Sequence, residues 1–149
     1  MLLREIMTSS VVTASPRTPV RQIAEVMRDR NVGSVVLADE ADRPLGIVTD
    51  RDLTLGVLAG TEEPTDPVER CATCPAVTGE DDMELEEAAA LMVTHRIRRL
   101  PVVEGDRLIG IVTLDDIAVR TGNLEVAQQM TADVARAAFP EFYFHQRGG

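Results

Sequence analysis

Gly46-Ile47-Val48-Thr49-Asp50-Arg51-Asp52-Leu53 and Gly110-Ile111-Val112-Thr113-Leu114-Asp115-Asp116-Ile117 are one phrase written twice in a chain of 149 residues. Each reads as an apolar strand that ends at a threonine and hands over to a helix carrying an aspartate three residues on. The repetition extends upstream. With an offset of 65, Leu3 falls on Val68, Ile6 on Cys71, Thr8 on Thr73, Val12 on Val77, Thr13 on Thr78, Val20 on Leu85, Met27 on Met92, Val32 on Ile97 and Val35 on Leu100. The offset drops to 64 between the two closing strands, so one residue is lost in a turn, where length changes are tolerated.

Each copy predicts the same elements. A short strand (11–13; 76–78) leads through a turn into a helix. Its apolar stripe is Val20, Ile23, Ala24 and Met27 in copy one and Leu85, Ala88, Ala89 and Met92 in copy two, at i, i+3, i+4, i+7. Two apolar strands follow (32–38 and 45–49; 97–103 and 108–113), then a last helix (50–58; 114–120). The strands are near-continuous aliphatic runs, as expected of a sheet covered on both faces. Residues 60–67, with two prolines and three acids, read as a linker between a first copy at 1–59 and a second at 68–121. Residues 122–149 lie outside the repeat, with a helix expected over 123–138. The chain's only aromatics, Phe139, Phe142, Tyr143 and Phe144, come after it.

Thr-x-x-Asp is close to a helix capping box, with threonine as N-cap and an acid at N3. It also suits ligand contact, since an ionised carboxylate is acceptor-only and its two oxygens can take two vicinal hydroxyls. Both roles can hold together. Asp50 and Asp115, in the first turn, suit the helix dipole.

A βαββα unit present twice and ending in Gly-Ile-Val-Thr-x-x-Asp both times resembles the CBS domain, named for cystathionine β-synthase. Further signatures are Ile6-Met7-Thr8, Val32-Gly33-Ser34-Val35-Val36 and Ile97-Arg98-Arg99-Leu100-Pro101-Val102-Val103. The resemblance covers roughly residues 3–120. It implies an α/β fold of two βαββα repeats related by pseudo-twofold symmetry. It further implies a stand-alone regulatory module, commonly homodimeric, that binds an adenine-containing ligand such as AMP, ADP, ATP, NAD or S-adenosylmethionine and signals to a partner protein. No cofactor is required. The family's clefts are built crosswise. Thr13, Val32 and Gly33 would join Thr113 and Asp116, while Thr78, Ile97 and Arg98 would join Thr49 and Asp52. Val32 and Ile97 would flank the adenine, Gly33 and Arg98 would read its edge, and the aspartates would take the ribose. Neither cleft offers an aromatic, which forgoes an offset-stacking gain of about 0.5–1.5 kcal/mol and implies modest affinity. Arg98 and Arg99 stand where copy one has Gly33 and Ser34, and guanidinium forks suit phosphate oxygens. A phosphorylated ligand is therefore expected to prefer the Arg98 cleft, although both arginines could equally pair with surface acids.

Composition sets the outer bounds. Formal net charge is −10, which disfavours nucleic acid as a main partner. All 15 basic residues are arginine. No apolar run approaches the roughly 20 residues a membrane span needs, and the start lacks a signal peptide's pattern. With two cysteines, a reducing cytoplasm is the expected setting. No nucleophile–base set or metal constellation stands out, so an enzyme is not expected. Cys71 and Cys74 fit packing best, with a regulatory disulfide or a metal site as alternatives. The aromatic tail fits docking on the chain's own aliphatic surface or across a dimer. It also fits capping a cleft or binding another protein. A ligand-free structural or interaction protein of the same fold is the alternative to a ligand sensor.

Overall fold

The computed structural model describes residues 1–121 together with residues 125, 128, 129 and 132. The elements run α1 (Leu3–Ile6), β1 (Thr13–Ala14), α2 (Val20–Arg30), β2 (Ser34–Ala38), β3 (Pro44–Thr49) and α3 (Asp50–Leu53), which continues as a π-helix (Thr54–Leu58). A 3₁₀ turn (Val68–Arg70) then leads to β4 (Gly79–Glu80), α4 (Leu85–His95), β5 (Arg99–Glu104), β6 (Arg107–Thr113) and α5 (Leu114–Thr121). Two three-stranded sheets result, ordered β1-β2-β3 and β4-β5-β6. The doubled βαββα pattern is therefore present. The expected helix 123–138 and the four aromatics fall outside the described residues, apart from the isolated positions above.

The chain divides into two compact units. One comprises residues 10–78 and 103–109, the other residues 1–9, 79–102 and the described residues from 110 onward. In the first, β1 runs parallel to β2 (Thr13 beside Val36) and β2 antiparallel to β3 (Ser34 beside Thr49, Val36 beside Ile47). Val35, Val36 and Leu37 are all buried, as a central strand covered on both faces requires. β3, at the sheet edge, alternates instead, with Leu45 exposed and Val48 buried. The core gathers Val20, Ile23 and Met27 of α2 with Val35, Leu37, Val48, Leu53 and Val68. In the second unit the buried set is Leu3, Ile6, Leu85, Ala88, Met92, Leu100, Val102, Val112, Leu114 and Ile117.

Each unit is completed by the lead-in of the other repeat. Val68 is part of the first unit's core, and the amides of Val20 and Arg21 donate to Asp66 and Pro64 carbonyls at 2.9 Å each. These are orphan donors of the α2 N-terminus, so the linker caps that helix. In the second unit the α4 amide of Leu85 donates to Met1 O at 2.9 Å, and Leu3 packs over Gly79. The lead-ins are too short and irregular for periodicity to reveal this exchange.

Several expected boundaries shift. The first strands form at Thr13–Ala14 and Gly79–Glu80, later than 11–13 and 76–78, because β1 finds a ladder partner only from the Val12 carbonyl onward (to Val36 N, 3.0 Å). Ala24, expected on the core stripe, is exposed, so α2 buries a narrower face at i, i+3, i+7. The helix expected over 50–58 becomes a π-turn from Thr54, where Ala59 N–H donates to Thr54 O at 3.1 Å. π-turns of this kind are rare and local.

Both α2 and α4 end on a left-handed residue, Asn31 (φ 52°) and Arg96 (φ 57°). Asparagine tolerates this region; arginine pays for its Cβ. Arg96→Gly should therefore stabilise the protein by about 0.5–1 kcal/mol, read as a raised urea midpoint, and Asn31→Gly should gain less.

Candidate functional site

The two Thr-x-x-Asp phrases fold into matching devices at strand-to-helix junctions. In the first unit Thr49 ends β3 in extended backbone and Asp52 lies in the first turn of α3. Asp52 N–H donates to Thr49 Oγ1 at 3.2 Å, and Thr49 N–H donates to Asp52 Oδ2 at 2.9 Å. In the second unit the corresponding distances are 3.1 Å (Asp116 to Thr113) and 2.9 Å (Thr113 to Asp116). Both are complete capping boxes. All four residues are half-buried.

The residue expected to read the base edge meets the same junction. Asp50 N–H donates to Gly33 O at 3.1 Å, and Leu114 N–H donates to Arg98 O at 3.3 Å. The structure thus brings Gly33, Thr49 and Asp52 together in one unit and Arg98, Thr113 and Asp116 in the other. Val32 and Ile97 are half-buried just before their strands. Thr13 is exposed and lines a separate open cavity of about 550 Å³ with Arg17, Asp39, Glu40, Asp42 and Glu69; Thr49 and Asp52 do not line it. In that rim the backbone amide of Arg43, followed by its guanidinium, holds the Asp39 carboxyl below the usual range. Thr78 is half-buried immediately before β4.

The arginines make the units unequal. Arg98, Arg99, Thr113, Leu114 and Asp115 line a cavity of about 170 Å³. Arg98 is exposed and Arg99 half-buried, and among the described residues no ion pair holds either one. Their guanidinium forks are thereby available to an anion.

The cysteines have a different part. Both thiols are free. Cys71 packs against the first core, its sulfur against Gly56 of the π-turn, while the Cys74 sulfur sits against Gly46 of β3. The two sulfurs thus lie against different elements. Burial first, then Glu62, Asp52 and Asp66, pushes the Cys71 thiol up; burial and then Glu69 does the same for Cys74. Thiolate chemistry is disfavoured at both; Cys71 packs on the core, whereas Cys74 is exposed. Among the described residues no group of three or more His, Cys, Asp or Glu side chains is placed to hold a metal ion.

The comparisons match this picture. The CBS domain profile matches residues 3–58 and 68–120. Protein MK0525 of Methanopyrus kandleri is 44% identical over 115 residues, which is 76% of this chain and 59% of that protein. The chain thus spans less than two thirds of that relative. The CBS domain-containing protein YhcV of Bacillus subtilis is 34% identical over 89% of this chain and 94% of its own. Among solved structures, the CBS domain pair of protein MJ0100, in complex with 5′-methylthioadenosine and S-adenosyl-L-methionine, superposes with a TM-score of 0.72 at 26% identity, over 82% of this chain and 96% of that one. This chain belongs to the CBS-domain family, as a tandem pair. Among the described residues no helix is long and apolar enough to cross a membrane.

Proposed function

We propose that this CBS pair is a non-catalytic regulatory module that binds an adenine nucleotide or adenosyl ligand and passes its occupancy to a partner protein. The observation that carries this reading is the pair of capping boxes that hold Asp52 and Asp116 half-buried at matching strand-to-helix junctions, with Oδ2 of each bonded to a threonine amide. The ligand complex of the MJ0100 pair adds support. In this reading Asp52 and Asp116 accept ribose hydroxyls beside Thr49 and Thr113. Val32 and Ile97 flank the base, Gly33 and Arg98 meet its edge through backbone, and Thr13 and Thr78 complete the binding sets. Arg98 and Arg99 engage phosphate. The module acts in the cytoplasm as a homodimer, using exposed apolar side chains such as Leu55, Leu58 and Val119, of which Leu58 is 83% exposed.

Titration calorimetry with AMP, ADP, ATP, NAD and S-adenosylmethionine tests the reading. Binding of at least one at micromolar to millimolar affinity is expected. Absence of heat with all five at millimolar concentration would leave the second reading, a ligand-free interaction protein, which the same exposed Leu55, Leu58 and Val119 favour.

A further inference from the structure

Thr8 and Thr73 hold the same place in the two copies. Each lies in a lead-in segment and is pinned to the middle of a Gly-Ile-Val-Thr strand by two backbone bonds. Thr8 N–H donates to Ile111 O at 2.9 Å and Ile111 N–H returns to Thr8 O at 3.0 Å. Thr73 and Ile47 repeat the exchange at 2.9 and 3.1 Å. The side chains, however, differ. Thr8 is half-buried and its hydroxyl donates to Asp116 Oδ1 at 3.4 Å. Thr73 is exposed, and among the described residues no hydrogen bond joins it to Asp52.

The two carboxylates therefore match at one oxygen and differ at the other. Oδ2 of each accepts a threonine amide at 2.9 Å. Oδ1 of Asp116 already takes the Thr8 hydroxyl. A vicinal diol brings two O–H donors, and a carboxylate oxygen has two lone pairs for them. With the Thr113 amide on Oδ2 and the Thr8 hydroxyl on Oδ1, Asp116 keeps one acceptor site on each oxygen, whereas Asp52 keeps both sites on Oδ1, so a diol meets a more crowded carboxylate at Asp116 unless it displaces Thr8. At 3.4 Å the Thr8 bond is long and weak, so it sets a preference and not a block.

We infer that Thr8 is a specificity-determining residue: it handicaps Asp116 as a diol acceptor, so that Asp52 takes a ribonucleotide first. This rests on the nucleotide reading above. The test uses AMP as probe on the full chain. Asp52→Ala should weaken the tighter, or sole, binding event about tenfold or more, and Asp116→Ala should weaken it by a clearly smaller factor than Asp52→Ala does. Thr8→Val should tighten the weaker event, or bring one into view, by about threefold, whereas Thr73→Val should change neither. Urea unfolding without ligand supplies an independent arm, in which Thr8→Val lowers the midpoint more than Thr73→Val. A weakening of the tighter event in Asp116→Ala as large as in Asp52→Ala or larger, a weaker or unchanged second event in Thr8→Val, or equal midpoints for the two threonine variants overturns the inference. If the wild type binds no AMP while the midpoints differ as stated, the nucleotide reading fails and takes the ribose assignment with it, and the inequality of the two carboxylates stands.

Discussion

Gly46→Ala should destabilise the protein by about 2–4 kcal/mol, and Gly110→Ala by distinctly less, when both are unfolded in urea and followed by circular dichroism. The two glycines open the same phrase in the two copies, and a β-carbon at either position would be blocked. What blocks it differs. At Gly46 the new atom collides with the Cys74 sulfur and lies 2.9 Å from the Thr73 carbonyl oxygen. That carbonyl is backbone, held to Ile47 by the paired bonds of the lead-in bridge. Relief requires moving the segment, which strains or breaks two backbone hydrogen bonds, each worth about 0.5–1.5 kcal/mol, and adds the overpacking cost of a filled site. At Gly110 the nearest atoms are Met7 Sδ at 2.5 Å and Met7 Cγ at 2.9 Å, with the Thr8 carbonyl at 3.1 Å. Methionine has three rotatable bonds and can withdraw its sulfur. Equal losses at the two glycines would mean that the lead-in segments do not press on these strands as described. Cys74→Ala should recover part of the Gly46→Ala loss, because it removes the closest obstacle and leaves only the carbonyl.

This comparison also marks where the sequence was legible. Repetition was visible because Gly-Ile-Val-Thr-x-x-Asp pairs a period-two strand end with a cap, and such patterns survive in one dimension. Helix and strand types followed from it, and the capping role of Thr49 and Thr113 could be read from spacing alone. Lead-in exchange could not. Leu3 and Val68 sit in four- and three-residue turns, too short for a period, and each belongs with the repeat that is distant in sequence. Cys71 was aligned with Ile6 as a packing position, and it does pack. The π-turn beside it depends on Gly56 admitting that sulfur, since a β-carbon there would lie 2.6 Å from Cys71 Sγ, and no local pattern encodes such a contact. Ala24 departs from the expected stripe for a related reason. A small side chain adds to a hydrophobic stripe whether or not anything covers it, and here it lines an open groove with Val20, Leu53 and Val57. At the site, residue identity was legible and inequality only partly. Arg98 and Arg99 stood out by contrast with Gly33 and Ser34, whereas the Thr8 hydroxyl's bond to Asp116 joins residues 108 positions apart.

The double variant Asp52→Ala/Asp116→Ala should lose about 10- to 100-fold in AMP affinity at each site while remaining folded. A hydrogen bond to an ionised group contributes about 1.5–3 kcal/mol, so removing the carboxylate from either ribose acceptor costs roughly one to two decades in affinity. The fold survives because each capping box is reciprocal. Alanine deletes the carboxylate that accepts the Thr49 or Thr113 amide, but the threonine hydroxyl still accepts the amide of residue 52 or 116, at 3.2 and 3.1 Å in the parent. One of the two bonds thus persists at each junction. The stability cost is that of a partial cap loss, about 0.5–1 kcal/mol per site. Circular dichroism and the urea midpoint read the second quantity, and calorimetry the first. A double variant that unfolds at the parental midpoint less this small amount and still binds AMP within threefold of the parent would remove both aspartates from the ligand's contacts. They would then be helix caps alone, and Oδ1 of Asp52 would have no ligand role.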